Sequence, residues 1–251
     1  MNIKDLTDIA KEAAKAAGQE ILKVYHSADF GVELKGDDSP LTLADRAAHE
    51  VIVEALKSTE LPILSEEGKE IPFEIRKNWE YFWMVDPLDG TKEFIKRNGE
   101  FTVNIAMIHQ DTPVIGVLYA PVLDWLYWGN KEEGAWKQVG SEKAIKLDKK
   151  PSSSIQTIVA SRSHLSLETQ EFIDRYPGAE VVSMGSSLKF MLVAEGKAQV
   201  YPRFAPTMEW DTAAAHGVIL ANGGQVLQWP NNSPLVYNKE NLLNPWFICW
   251  P

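Results

Sequence analysis

The stretch Trp83-Met84-Val85-Asp86-Pro87-Leu88-Asp89-Gly90-Thr91 decides how this chain is read. The apolar run from Tyr81 to Val85 has the character of a short buried strand and ends directly in acids. Two aspartates then stand three residues apart, Pro87 fixes the turn between them, and Gly90 allows close backbone approach. Both carboxylates can converge on one hard cation. The Leu88 carbonyl, exposed by the turn, offers a third oxygen of the kind that magnesium and calcium take. Taken alone, an acidic turn of this spacing is more often a feature of the surface.

Two more chain segments end in acids. Leu61 to Leu64 is a second apolar run and leads into Ser65-Glu66-Glu67-Gly68, while Glu209-Trp210-Asp211 opens the last predicted helix. Each has a plain structural alternative. Glu66 and Glu67 read equally as solvated loop charge, and Asp211 as a helix-start carboxylate favoured by the macrodipole. Three acid-bearing element ends in one chain nonetheless point towards a site for more than one metal ion.

Outward from these ends the periodicity supplies the frame. Leu6, Ile9, Ala13, Ala17, Ile21 and Val24 recur at helical spacing over the first 25 residues, and Leu43, Ala47, Val51, Ile52 and Ala55 predict a second helix with Thr42 as its N-cap. From Thr102 to Trp128 the chain is rich in β-branched and aromatic residues, with turns at Asp111-Thr112-Pro113 and Pro121, which predicts successive antiparallel strands. Beyond the polar, proline-bearing segment 148–154 the order becomes strand (157–160), helix (167–176), strand (180–183), helix (186–195), strand (198–201), helix (210–221) and strand (225–228). We therefore expect an N-terminal α+β domain over 1–148, with an antiparallel sheet and most of the acids. A smaller α/β domain over 149–251 would carry Asp211.

Composition narrows the function classes. The chain has 251 residues, 45% of them hydrophobic, and nine tryptophans, enough for a sizeable core. No apolar run approaches the roughly 20 residues that span a bilayer. The N-terminus carries acids early and lacks the apolar segment of a secretory signal, so a cytoplasmic protein is expected. A net charge of −10 argues against long nucleic acids. It is compatible with a small phosphorylated substrate if divalent cations supply the positive charge. The single cysteine, Cys249, has no disulfide partner in the chain and reads as a small apolar residue.

The set Ser65-Glu66-Glu67, Asp86 to Thr91, and Trp210-Asp211-Thr212-Ala213-Ala214 resembles the inositol monophosphatase superfamily over essentially the whole chain. That resemblance implies a layered α+β sandwich, the sugar-phosphatase fold, and a lithium-sensitive, magnesium-dependent phosphomonoesterase using two or three Mg2+ ions. The continuation Lys92-Glu93-Phe94-Ile95, with Gly185 to Phe190 and Tyr201-Pro202-Arg203-Phe204, is similar to the bacterial 3′(2′),5′-bisphosphate nucleotidases. The implied substrate is adenosine 3′,5′-bisphosphate, converted to AMP and phosphate, with its sulfated counterpart PAPS as a second substrate. The implied setting is sulfur metabolism, where such enzymes clear the nucleotide left after sulfonyl transfer. Some relatives associate weakly with the inner membrane; no basic amphipathic helix here supports that.

By the same resemblance Glu66, Asp86 and the Leu88 carbonyl would hold one ion, and Asp86, Asp89 and Asp211 a second, with Asp86 bridging. Asp45 and Thr91, together with Glu66, would serve catalysis by orienting the attacking water. Without the resemblance Asp45 is an exposed helical acid and Thr91 an ordinary N-cap. Substrate contacts would come from Glu66, Leu88, Asp89, Gly90, Thr91, Ser186, Lys189, Arg203, Asp211 and His164, with Arg162 a further candidate. Three other readings share parts of this pattern. Haloacid-dehalogenase-like phosphatases place their aspartates two apart with the first as covalent nucleophile, against three apart here. Inositol monophosphatase or fructose 1,6-bisphosphatase activity uses the same scaffold, and a non-catalytic sensor of the bisphosphate nucleotide would bind without turnover.

Overall fold

A computed structural model describes residues 2–27, 31, 33–34, 40–148, 154–160 and 166–251. The first half runs α1 (Ile3–Tyr25), β1 (Glu33–Leu34), β2 (Pro40–Leu41), α2 (Leu43–Leu56), β3 (Ile63–Ser65), α3 (Phe73–Arg76), β4 (Tyr81–Asp89), α4 (Thr91–Ile95), β5 (Thr102–His109), β6 (Thr112–Ala120), β7 (Trp125–Asn130), β8 (Gly134–Val139) and β9 (Ile145–Lys146). The second half continues with β10 (Thr157–Ala160), α5 (Leu167–Ile173), β11 (Glu180–Ser183), α6 (Leu188–Ala194), β12 (Tyr201–Arg203), α7 (Glu209–Ala221), β13 (Gln225–Gln228) and β14 (Phe247–Trp250).

Strands β3 to β9 form one seven-stranded sheet in chain order, with β3 parallel to β4 and every later pair antiparallel. The two-residue period of a strand sends alternate side chains to opposite faces. Trp83, Val85, Val103, Ile105, Ile115 and Val117 thus join the core under α1 and α2. Phe82, Met84, Ala106, Ile108, Leu118 and Ala120 join a second core with α6 and α7. Two layers of helix cover one sheet, which is the layered α+β sandwich. In the second half β10 pairs with β11 in parallel, and β12, β14 and β13 form an antiparallel sheet.

Local chemistry sets the helix starts. Asn2 caps α1 by accepting from the Asp5 N–H at 2.8 Å, and Thr42 caps α2 through the Ala44 N–H at 3.2 Å. The strand expected at 198–201 begins only at Tyr201: Gly196, at φ 69°, closes α6, and the Ala198 N–H turns back to the Leu192 carbonyl. The helix expected from Ser186 begins at Leu188, because Ser186 sits in the left-handed region at φ 54°. The helix predicted to 176 stops at Ile173. Strands β8, β9 and β14 were not anticipated, being short and bounded by polar turns. Cys249 is buried within β14, where burial raises its thiol pKa.

Helix α7 belongs to the second half yet packs across β4 to β8 of the large sheet. Its closest approach needs two glycines. A Cβ on Gly116 of β6 would stand 2.0 Å from the Ala214 carbonyl oxygen, and one on Gly217 would stand 2.8 Å from the Gly116 nitrogen. Both obstacles are backbone and cannot rotate away. Gly116→Ala should therefore destabilise the protein by about 2–3 kcal/mol, an overpacking cost, seen as a lower urea midpoint.

Further along α7, His216 is buried and its Nδ1 meets the Tyr237 hydroxyl at 2.9 Å. Burial pushes its pKa down to about 3. The unfolded chain then binds a proton that the folded chain refuses, so stability falls as pH drops below about 6.5 towards 3. At pH 5 the loss is on the order of 2 kcal/mol. His216→Gln should flatten the melting-temperature profile between pH 5 and 7 relative to wild type.

Candidate active site

The site forms where the parallel strands β3 and β4 end together. Ser65 is paired with Val85, and the Glu66 N–H donates to the Val85 carbonyl at 3.1 Å, which brings Glu66 beside Asp86. Strand β4 does not end at Val85 as expected; it runs on to Asp89 through a bulge. Asp86 pairs with Asn104 and Asp89 with Thr102, so three steps along β4 match two along β5. Pro87 explains the slip, since it has no N–H for the ladder. Without the bulge, side chains three apart would point to opposite faces; the extra residue returns both carboxylates to one side. The Leu88 N–H donates to Asp86 Oδ1 at 3.0 Å and holds the turn.

Asp211 arrives from across the sheet, in the first turn of α7, where its Oδ2 accepts from the Met208 N–H at 2.9 Å. Asp211 thus caps the helix and also faces Asp89 and Glu66. Asp89 Oδ2 accepts from the Ser187 N–H at 2.7 Å and from the Ser186 hydroxyl. Asp45 is buried at the start of α2. Its Oδ2 accepts from the Thr42 N–H at 2.7 Å and from the Thr42 hydroxyl, while its Oδ1 lies 3.4 Å from Thr91 Oγ1. Thr91 Oγ1 is also 3.4 Å from the Leu88 carbonyl oxygen. Asp45 is thus no solvated surface acid.

Electrostatics bind the group together. Burial first, then the charges of Glu66, Asp89 and Asp211 and a hydrogen bond with Glu66, raise the Asp86 carboxyl well above the aspartate range. Asp211 is raised likewise, by burial and then by Asp89. Among the described residues no three Asp, Glu, His or Cys side chains already stand as a closed ligand cage. The four acids therefore converge as mutually repelling charges rather than as a finished coordination shell. The donor set is all oxygen, with neither thiolate nor imidazole among the converging groups, and it fits a hard divalent cation such as Mg2+.

Beside the acids opens a cavity of about 320 Å³, lined among others by Asp89, Gly90, Lys92, Lys96, Ser186, Lys189, Arg203 and Asp211. Lys189 is buried there, with its ammonium donating to the Met184 carbonyl at 3.1 Å and to the Ser186 carbonyl. Burial lowers its pKa to about 8 despite the nearby Asp89. Arg203 donates through Nη2 to the Pro206 carbonyl at 3.1 Å, and its Nε is buried without a hydrogen-bond partner. Arg162 and His164 lie outside the described residues. Three further residues support the site and were not anticipated. Thr102 meets the Ser186 and Ser187 hydroxyls at 2.6 and 2.8 Å, and Ser187 donates to Asn104 Oδ1 at 2.8 Å. The available signal was an amide between Val103 and Ile105 in a strand that is otherwise core.

Converging acids on a layered α+β sandwich, opening on a polar cavity lined also by lysine and arginine side chains, define a metal-dependent phosphomonoesterase of the sugar-phosphatase fold. The chain belongs to the inositol monophosphatase family, whose model matches residues 2–246. Among curated relatives, the 3′(2′),5′-bisphosphate nucleotidase CysQ of Salmonella typhimurium strain LT2 is 48% identical over 241 residues, covering 94% of this chain and 96% of that one. Its namesake from Escherichia coli K12 is 47% identical over 248 residues, covering 96% and 98%. Among solved structures, CysQ from Bacteroides thetaiotaomicron, a bacterial member of the inositol monophosphatase family, superposes with a TM-score of 0.89 at 47% identity, covering 99% of this chain and 97% of that one.

A raised Asp86 pKa has a definite sign. Without metal, the protonated form stabilises the fold and that contribution is lost as pH rises from the aspartate range through the raised folded value. Asp86→Asn should therefore raise the melting temperature of the metal-free protein at pH 7 by several degrees, about 2–4 °C for each kcal/mol relieved, while removing activity. A lower melting temperature in the chelated variant than in chelated wild type would contradict this.

Proposed function

We propose that this chain hydrolyses the 3′-phosphate of adenosine 3′,5′-bisphosphate, giving AMP and phosphate, and removes the same phosphate from PAPS. The reading is carried by one observation: Glu66, Asp86, Asp89 and Asp211, from three separate segments, converge beside a cavity lined by Asp89, Asp211, Lys189 and Arg203. The relatives named as 3′(2′),5′-bisphosphate nucleotidases support the nucleotide over inositol phosphate or fructose 1,6-bisphosphate. The intact acid set disfavours a sensor that binds without turnover.

In this reading Glu66, Asp86 and the Leu88 carbonyl would hold one Mg2+, and Asp86, Asp89 and Asp211 would hold another. When bound, the ions neutralise the phosphate oxygens, stabilise the attacking and leaving oxygens of an in-line displacement and acidify water. The chain's own residues orient the reaction. Thr91 Oγ1 holds the attacking water and relays its proton towards Asp45 Oδ1, with Glu66 a second acceptor. Asp45 suits this because the Thr42 cap occupies its other oxygen and fixes the carboxylate plane. Gly90, at φ 94°, leads into α4 without a side chain, and the Gly90 and Thr91 N–H groups are offered to the reacting phosphate. Ser186, Lys189 and Arg203 line the nucleotide side, with His164 and Arg162 as further contacts.

The two-domain division at residue 149 and a cytoplasmic location with a role in sulfur metabolism belong to the same proposal. Among the described residues no helix is long and apolar enough to cross a membrane, and peripheral association rests on the resemblance alone.

Phosphate release from adenosine 3′,5′-bisphosphate, inositol 1-phosphate and fructose 1,6-bisphosphate, assayed in parallel with Mg2+ and with or without Li+, tests the reading. The bisphosphate nucleotide should be the best substrate and Li+ should inhibit. Asp89→Asn should lower kcat by at least about a hundredfold with an unchanged circular dichroism spectrum, as loss of a transition-state charge group does. Clear preference for inositol phosphate would overturn the substrate, and full activity in Asp89→Asn would remove that residue from the site.

A further inference from the structure

Helix α2 reaches the acid cluster at two places. Asp45, in its first turn, approaches Thr91. His49 stands four residues on, one turn along the same face, and its Nδ1 shares a hydrogen bond of 2.9 Å with Ser65 Oγ. Ser65 is the last residue of β3 and immediately precedes Glu66. This contact is not what docks the helix. Ala44, Ala48, Ile52 and Leu56 form the buried stripe against the sheet, and half-buried His49 lies one position off it.

Glu66 needs an anchor of this kind. Strand β3 has three residues, lies at the edge of the seven-stranded sheet and pairs with β4 alone. Past its end the chain closes a tight turn, in which the Gly68 N–H donates to the Ser65 carbonyl at 3.0 Å. A Cβ on Gly68 would stand 3.1 Å from that carbonyl oxygen and 3.8 Å from His49 Cε1, so the turn closes against the imidazole. Glu66 is thereby fixed from two sides. Its own N–H is held by the Val85 carbonyl, and the side chain of the residue before it is held by α2. A long glutamate side chain already loses rotamers when it is ordered, and a wandering backbone beneath it would add to that cost.

Histidine suits the position. Burial holds the His49 pKa below its ordinary value despite the nearby charges of Glu67 and Glu50, so the ring is uncharged at neutral pH. A lysine or arginine would set a positive charge beside a site for cations, whereas a neutral imidazole grips the turn without opposing them. We propose that His49 is a positioning residue of the metal site: by holding Ser65 it fixes the turn that presents Glu66, and so sets the affinity for the ion assigned to Glu66, Asp86 and the Leu88 carbonyl. The inference rests on the metal-site reading above and adds a residue that acts through another.

The test measures Mg2+ binding by calorimetry on substrate-free protein, in wild type, His49→Leu, His49→Asn, Ser65→Ala, His49→Leu/Ser65→Ala and Ile52→Val. His49→Leu removes the hydrogen bond, His49→Asn returns a polar atom near the Nδ1 position, and Ile52→Val loosens α2 on its core face without touching the turn. The expected result is a Mg2+ dissociation constant raised about tenfold in His49→Leu and in Ser65→Ala, and no further in the double variant, since both changes remove the same bond. His49→Asn should restore most of the affinity, and Ile52→Val should lower the melting temperature while leaving the constant unchanged. In turnover assays His49→Leu should need about tenfold more Mg2+ yet reach the wild-type kcat at saturation. Ser65→Ala, the smaller change, carries the test if His49→Leu fails to fold. Unchanged Mg2+ affinity in the single variants, additive losses in the double variant, or equal weakening in Ile52→Val would overturn this assignment alone. A wild-type protein that binds no Mg2+ would overturn the metal-site reading and the positioning role with it.

Discussion

Asp86 is a buried carboxylate with three other acids directed at it, and both facts oppose its ionisation. An isolated charge in such a place would be neutralised by protonation or driven back to water. It stays because its surroundings are stiff. The Asp86 backbone is held in β4 between β3 and β5 of the seven-stranded sheet, Glu66 is delivered by the parallel neighbour β3, and Asp211 is held on a helix docked by glycine contacts. Repulsion among the acids is therefore borne by two apolar cores, one on each sheet face, rather than relieved by movement. That stored repulsion is what a divalent cation removes, so the same feature that weakens the bare fold strengthens cation binding.

This arrangement was only partly legible in the sequence. Two apolar runs ending in acids announce strands that deliver carboxylates, and Asp86 and Asp89 stand out for that reason. Their spacing is misleading by itself, since an uninterrupted strand would send residues three apart to opposite faces. The slip of register at Pro87 reconciles spacing and convergence, and a slip depends on the partner strand, which no local pattern reports. The docking of α7 is hidden for a related reason. Gly116 reads as a weak point in a strand, and its use appears only when Ala214, almost a hundred positions later, lies against it.

The support around Asp89 shows where local signals run out. A helix over 186–195, as expected, would carry Ser186 and Lys189 together, three residues apart. The left-handed turn at Ser186 removes that premise, because α6 starts at Leu188. The consequence is chemical. Ser186 and the Ser187 N–H are freed to bond Asp89, and the lysine turns its ammonium back onto the carbonyls that the turn exposes. The cation that the resemblance directs to the substrate thus also fastens the loop that holds Asp89.

Asp45 makes the complementary point: in place of an exposed helical acid the structure has a buried capping acid, with one oxygen on the cap and the other near Thr91. A carboxylate has two oxygens, and the capping interaction with Thr42 engages Oδ2 alone. Helix capping thereby does more than stabilise α2, because it fixes the direction of the remaining lone pairs on Oδ1 towards Thr91. An acid free on both oxygens would rotate, lose the threonine and gain solvent. Helix starts and site acids coincide twice here, at Asp45 and at Asp211, because a first-turn carboxylate is already ordered by the N–H groups it caps. The entropy of holding such a group in place is met by the helix before any ligand arrives.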